Sequence, residues 1–494
     1  MDTSMSPSGP KPTIGTCYPR RFAPQDEVVQ AGSLEGRDMG KPTIDQLREQ
    51  VHGVVIAPDD TGYDKARRVY NAMIDRRPRV VVQCADADDV VAAVHYAREN
   101  ELAVAIRGGG HSVPGFGTGD DAVVIDLSPM RAVAVDPAKR TARAQGGATW
   151  GDFNEATHAH GLATTGGIIS TTGVGGLTLG GGIGYLTRGF GLSCDNLLSA
   201  EVVTADGRRL VASQRENADL FWALRGGGGN FGVVTSLEFQ LHPVKDIYGG
   251  PMFFELKDAA TVLRFYREFI VDAPEQFGGF PAWQIAPPLP FIPENRHGEP
   301  FLAFVACWAG PIEEGERALK PLHDVAAVVA EHVGQMPYPA LNSAFDGLVP
   351  AGLQHYWKAN FVGDLSDEAI AAHLEYGPKV PVVNSTVHIY PINGAAHRVA
   401  ADATAFAYRD ATFATVIAGM WPEPAQNDTN IKWVRDFYDA TAPLSESGGY
   451  INFMSEDDQD RIKANYKGNY DRLVAVKRAY DPGNLFHLNQ NIKP

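Results

Sequence analysis

Arg107-Gly108-Gly109-Gly110-His111-Ser112 is the stretch on which the reading of this chain turns. It follows Leu102-Ala103-Val104-Ala105-Ile106, a short apolar run that predicts a strand, and leads into Gly115-Phe116-Gly117-Thr118-Gly119. Glycine lacks a Cβ, so backbone N–H groups in such a loop come close to an anionic or planar ligand. The single imidazole adds a group able to grip that ligand chemically. Taken alone, the same residues read equally well as a glycine-rich surface turn with an incidental histidine.

Two further clusters add weight to the ligand reading. One is Gly173-Val174-Gly175-Gly176-Leu177-Thr178-Leu179-Gly180-Gly181-Gly182-Ile183-Gly184. So much glycine costs conformational entropy, and a globular chain carries it where backbone must approach something closely. The other, Gly226-Gly227-Gly228-Gly229-Asn230-Phe231-Gly232, matches GxGxxG at Gly227, Gly229 and Gly232. A dinucleotide fingerprint runs strand, glycines, helix, whereas here Asp219 to Arg225 reads as helix and Val233 to Phe239 as strand. The GxxxxGK[ST], HExxH and GxSxG patterns are absent from the sequence. A cofactor is therefore expected to sit among several separated glycine loops rather than on one Rossmann turn.

The 494 residues allow two or three domains and a large core, and 44% hydrophobic with 21% charged residues reads as soluble and globular. A net charge of −16 argues against nucleic acid as a partner. Cys17, Cys84, Cys194 and Cys307 lack CxxC spacing, so neither a disulfide scaffold nor a metal site is expected. No apolar run reaches the length of a membrane span, and the first twenty residues hold no apolar leader core. A cytoplasmic location is the expectation.

Residues 1–42, rich in Pro, Ser and Gly, read as an N-terminal extension. Alternating elements follow over 43–245. They include a polar, helical opening with Tyr63 to Tyr70 as one amphipathic piece, and strands at Val80–Gln83, Ala103–Ile106, Ala122–Leu127 and Ala142–Gln145. A helix opened by Asp86 carries Val90, Val91 and Val94 on one face, and another runs near Trp150 to His160. After Pro243 glycine thins out, aromatics increase, and prolines stand at 281, 287, 288, 290 and 293. A second domain is placed at 246–449, and residues 450–494 return to short helices.

At this point the residues resemble a known family. The runs RGGGHS (107–112), TTGGIISTTGVGGLTLGGGIGYLTRGFGLSCDNL (164–197), EVVTADG (201–207) and LFWALRGGGGNFGVVT (220–235) are similar to the FAD domain of berberine-bridge-enzyme-like oxidases of the vanillyl-alcohol-oxidase superfamily. GGYINF (448–453) and NYDRLVAVKRAYDPGNLFHLNQNI (469–492) fit the same family, and the likeness extends from about 43 to 494. It implies an α+β fold. A PCMH-type FAD-binding domain of two α+β subdomains (43–245) is joined to a substrate-binding domain with an antiparallel sheet backed by helices, and the C-terminal segment returns to the FAD domain. It also implies that His111 carries FAD covalently. A neutral imidazole nitrogen is a competent nucleophile toward the flavin 8α carbon. The implied FAD-contacting set is Arg107, Gly108, Gly109, Gly110, His111, Ser112, Gly115, Gly147, Gly167, Thr172, Gly173, Gly176, Gly181, Gly182, Val233, Tyr450 and Asn452, with no metal.

Four departures from the family pattern shape the expectations. Many members carry a second, cysteinyl tether where this chain has Ile169, so a single linkage is expected; Cys194 reads as a small core residue. The position associated with oxygen access is Thr172, close in shape to the Val common in oxidases, which favours O2 as acceptor. The usual tyrosine bases are replaced by Phe453 and Ile183. Tyr450 remains, and a replacement base is sought in His388-Ile389-Tyr390, whose alternation puts His388 and Tyr390 on one strand face. His397, Tyr356 and Tyr408 are further candidates, and two polar groups satisfied by backbone would explain His388 and Tyr390 equally well. The expected activity is hydride removal from a small-molecule alcohol or natural product. Phe277, Phe280, Trp283, Trp308, Tyr356, Trp357 and Phe361 point to a hydrophobic substrate, although aromatics are ordinarily core. An oxidative cyclase, a dehydrogenase, and a flavin-binding protein without turnover are the alternatives.

Overall fold

The structure, a computed structural model, describes residues 41–494 apart from the side chains of 458–460. The N-terminal extension expected over 1–42 lies outside the described residues except for its last two.

Short β-branched runs punctuated by glycine give short strands. β1 (Val54–Ile56), β2 (Val80–Gln83), β3 (Val104–Arg107) and β4 (Val123–Asp126) form a four-stranded sheet in the order β1-β2-β4-β3. Within it β2, β4 and β3 are parallel and β1 is antiparallel. The parallel strands need a crossover, and the helix Ala87–Glu99 supplies the first. Asp86 caps it, its carboxylate accepting from Asp88 N at 2.8 Å and Asp89 N at 3.2 Å. Val90, Ala93, Val94 and Ala97, at helical spacing, are fully buried against the sheet.

β5 (Val133–Asp136), β6 (Thr141–Gln145), β8 (Leu197–Val203), β9 (Arg209–Ser213) and β10 (Val233–Gln240) form a second, antiparallel sheet in the order β5-β6-β10-β8-β9. Two short pieces, β7 (Leu162–Ala163) and β11 (His242–Pro243), pair with each other. The amphipathic piece expected to be helical over Tyr63–Tyr70 is a single turn, Tyr63–Ala66. Tertiary partners take the following backbone instead: Tyr70 N donates to Gly110 O at 3.1 Å, and Gly352 N donates to Tyr70 O at 3.1 Å.

The third sheet is antiparallel and larger. It comprises β12 (Asp246–Phe254), β13 (Phe280–Ile285), β14 (Pro300–Trp308), β15 (Val328–Glu331), β16 (Gly334–Pro337), β17 (Gln354–Val362), β18 (Thr386–Pro391) and β19 (Phe413–Trp421). The order is β15-β12-β14-β13-β18-β19-β17, with β16 also on β12. One face packs Met252, Trp283, Leu302, Phe304, Val387 and Ile417 against helices that include Ala259–Asp272 and Asn427–Thr441. Phe277, Trp283, Trp308 and Tyr356 belong to that core, so most of the aromatics read as a substrate signal are packing.

The last segment folds back onto the third glycine cluster. Lys477, fully buried, donates to Asn230 O at 2.8 Å, Phe486 O at 2.8 Å and the equally buried Asp481 carboxylate at 2.7 Å. Asn230 adds bonds to Gln490 O and from Ile492 N. Among the described residues no helix is long and apolar enough to cross a membrane.

Candidate active site

Loops from both smaller sheets and one face of the large sheet enclose a cavity of about 700 Å³. Its first wall is almost entirely backbone. Gly108, Gly109 and Gly110 follow β3, Gly173, Gly175 and Gly176 open the helix Val174–Leu179, and Gly228, Gly229 and Gly232 precede β10. The first two loops touch: a Cβ on Gly109 would stand 2.4 Å from Gly173 N. Only glycine permits that approach. Gly176 and Gly229, by contrast, have no protein atom within 4 Å of their Cβ positions, so their backbone faces open cavity.

His111 projects from this wall. Its ring stacks on Tyr70 with centroids 3.8 Å apart at 20°. Thr171 Oγ1 lies 2.9 Å from Nε2 and Thr172 Oγ1 3.4 Å from Nδ1. Burial lowers its pKa to about 4, which keeps the imidazole neutral at physiological pH. Arg107, beside it, is 7% exposed and its guanidinium is held by Asp126 at 2.8 Å and Arg68 O at 3.1 Å. No Asp, Glu or Lys lines the cavity among the described residues.

The second wall is made of side chains. Strand alternation sends Phe280, Ala282 and Gln284, then Thr386, His388 and Tyr390, and also Val416, Ala418 and Met420 to the same face. His388 Nδ1 lies 2.5 Å from Tyr390 Oη, and Nε2 has no hydrogen-bond partner among the described residues. Burial lowers the His388 pKa to about 3 and pushes the Tyr390 phenol well up. Both groups are neutral across the physiological range.

The structure brings most of the expected site residues to this cavity, but not all. Arg107, Gly108, Gly109, Gly110, His111, Ser112, Gly167, Thr172, Gly173, Gly176, His388, Tyr390 and Asn452 line it. Gly115, Gly147, Gly181 and Gly182 do not; their missing Cβ atoms make room for Ile74, Leu127 O, Phe406 and Ser193. Val233 is buried in the core, and the next residue, Val234, reaches the cavity. Tyr450 is also absent from the wall. Its hydroxyl accepts from Gly182 N and Asn452 Nδ2, both at 2.7 Å, and so ties the glycine loop to the C-terminal segment. His397, Tyr356 and Tyr408 bond Ala411 O, Asp457 and Ala464 O away from it. Cys194 is fully buried elsewhere, while Ile169, Ile183 and Phe453 do line the cavity. Sequence reasoning missed Tyr70 and Gly146, which only long-range packing places there, and left Gly228 and Gly229 of the third cluster out of the contact set; of the aromatics read as a substrate signal, Phe280 and Trp357 do line the cavity.

Comparison with known proteins fits this construction. Residues 78–213 match the FAD binding domain model and residues 449–493 the berberine and berberine-like model. An uncharacterized FAD-linked oxidoreductase of Bacillus subtilis is 31% identical over 90% of this chain and 98% of its own length. The (R)-6-hydroxynicotine oxidase of Paenarthrobacter nicotinovorans is 32% identical, covering 90% of this chain and 97% of its own. The chain is a berberine-bridge-like FAD-linked oxidoreductase. A solved structure of 6-hydroxy-D-nicotine oxidase from Arthrobacter nicotinovorans superposes on this member of the family with a TM-score of 0.80 at 29% identity, over 90% of this chain and 98% of that one. The residues present fit the flavin nucleotide: three glycine loops open backbone to the cavity, Gly176 and Gly229 face empty space, and the apolar walls suit a planar ring system.

Proposed function

We propose that this oxidoreductase removes hydride from an uncharged small-molecule alcohol or natural product, with FAD held by a single covalent bond to His111 and O2 as final acceptor. The observation that carries the reading is that one cavity is lined by both His111 and the His388–Tyr390 pair. Bound FAD supplies a two-electron acceptor for the hydride.

The chain's own residues do the rest. His111, neutral and gripped between Tyr70 and the two threonine hydroxyls, is the tether. Ile169 offers no second one. His388 takes the substrate hydroxyl proton at Nε2, which requires the tautomer whose Nδ1–H donates to Tyr390 Oη. Phe453 and Ile183 present apolar side chains to the cavity at the positions where the resemblance implies tyrosines. With no carboxylate on the wall, and its one cation, Arg107, already paired with Asp126, an ionised substrate would enter poorly compensated at a cost of several kcal/mol.

The test is acid precipitation of the purified protein followed by anaerobic titration with alcohols. A yellow pellet that His111→Ala renders colourless supports the tether, and flavin bleaching by an alcohol supports the activity. Colour retained in His111→Ala but lost in Cys194→Ala would overturn the assignment of the tether. Bleaching without H2O2 release in air would make the enzyme a dehydrogenase, and a cyclised product would make it an oxidative cyclase.

A further inference from the structure

The cavity-facing side of the large sheet is uneven, and the unevenness has a pattern. In register across it stand Phe253, Ala303, Ala282, His388 and Val416, one from each of five neighbouring strands. On the adjacent row Ala418 pairs with Thr386, diagonal to His388. The reverse face of the same strands carries Trp283, Leu302, Phe304 and Ile417. On the cavity face Ala303, Ala282 and Ala418 thus lie in the rows that hold or adjoin His388.

Resting on the reading above, we infer that Ala282, Ala303 and Ala418 floor a pouch that takes a two-ring apolar group, aromatic or alicyclic, of an uncharged alcohol, and that these alanines set substrate size. From Ala303 to His388 is two strand steps of roughly 4.8 Å, or about 10 Å, which is enough for two fused six-membered rings. Phe253 closes the far end of that row and Phe280 stands on one flank, tilted 47° to His388 with centroids 5.1 Å apart. Flat apolar walls of this kind reward a ring and offer an oligosaccharide few partners. Gln284 and Asn384, the amides on this wall, already donate to Val383 O and Leu348 O.

The experiment uses the holoenzyme and a probe that binds without reacting, the tertiary alcohol 2-(2-naphthyl)propan-2-ol, measured by calorimetry and by perturbation of the flavin absorption band. Cellobiose and N,N-dimethylbenzylamine are the polar and cationic comparators. The expected result is at least tenfold tighter binding of the naphthyl probe than of either comparator. Ala282→Val and Ala418→Val, which enlarge two residues of the cavity wall, should each weaken it at least fivefold at unchanged flavin content. Ala303→Val gives the same reading should either variant fold poorly. Cellobiose binding as tightly as the probe, or valine variants binding like wild type, would overturn the pouch. The primary alcohol 2-naphthylmethanol separates the two proposals: if the tertiary probe binds but the primary alcohol leaves the flavin oxidised, the pouch stands and the alcohol-oxidation reading falls.

Discussion

The two walls of the cavity are built from different materials. The glycine wall presents backbone, and its geometry depends on the absence of side chains at Gly108–Gly110, Gly173–Gly176 and Gly228–Gly232. The sheet wall presents side chains, and its geometry depends on which residue of each alternating pair faces inward. A backbone surface tolerates little change but suits an invariant ligand. A side-chain surface can be recut one residue at a time without disturbing the ladder beneath it. The same division explains how one scaffold keeps its cofactor while substrates vary.

The sharpest way to break this contrast is His111→Ala, the one place where the glycine wall acts through a side chain. It should abolish acid-stable flavin while leaving a folded protein that still binds FAD reversibly, read from pellet colour and filtrate absorbance. On the opposite wall, His388→Ala should lower kcat by about 10²- to 10⁴-fold with substrate affinity largely kept. Tyr390→Phe should cost less, because the imidazole remains. Equal losses in KM and kcat from His388→Ala would deny it the role of base.

Between these in size lies the clamp behind the glycine wall. Lys477→Met leaves Asp481 buried without its partner, and removal of one member of a buried pair costs about 3–5 kcal/mol. A fall in thermal stability accompanied by faster flavin release is expected, since Lys477 also bonds Asn230 O beside the third glycine cluster. A finer comparison sets Gly109→Ala against Gly176→Ala. The first Cβ meets backbone at 2.4 Å and should lower stability; the second meets no protein atom and should lower flavin content alone. If both variants behave alike, the distinction between packed and cavity-facing glycines fails.

Acid acts on both the wall and the core behind it. Burial lowers the pKa of His355 to about 3, His373 to about 4 and His388 to about 3, with nearby His111 adding to the shift at His355. An unfolded chain protonates its histidines near 6.5, so between that value and about 4 it binds protons that the folded chain does not. Stability therefore falls as pH drops through this window and is flat above it with respect to these groups. The melting temperature should decline from pH 6.5 to 4, most steeply in wild type and less in His373→Gln.

Legibility followed the division between the walls. Glycine clusters announce themselves because only close backbone approach explains their entropy cost, and RGGGHS with the second cluster located most of the first wall. What the clusters did not reveal was which glycines face a ligand. Gly147 and Gly182 serve Leu127 O and Ser193, while Gly146, next to the first, and Gly176, in the same cluster as the second, line the cavity, and nothing local separates the two kinds. Likewise a strand over Val233–Phe239 was evident and the structure has it at Val233–Gln240, but a difference of one position put Val234 rather than Val233 at the wall. Tyr70 was read as part of an amphipathic helix because its long-range partners, Gly110 O and Gly352 N, carry no local signal.

By itself, then, the sequence carried an imidazole set among glycine loops and, through the order and identity of its motifs, the likeness that implies an α+β flavoprotein of the berberine-bridge-like kind, because motifs are local runs of the chain. Only the tertiary structure decided that Tyr450 is a tie rather than part of the reactive wall, that His388 and Tyr390 share a cavity with His111, and that three alanines lie in the rows that hold or adjoin His388. Those facts depend on strand register and on contacts between residues far apart in the chain, and neither is written in any local run of residues.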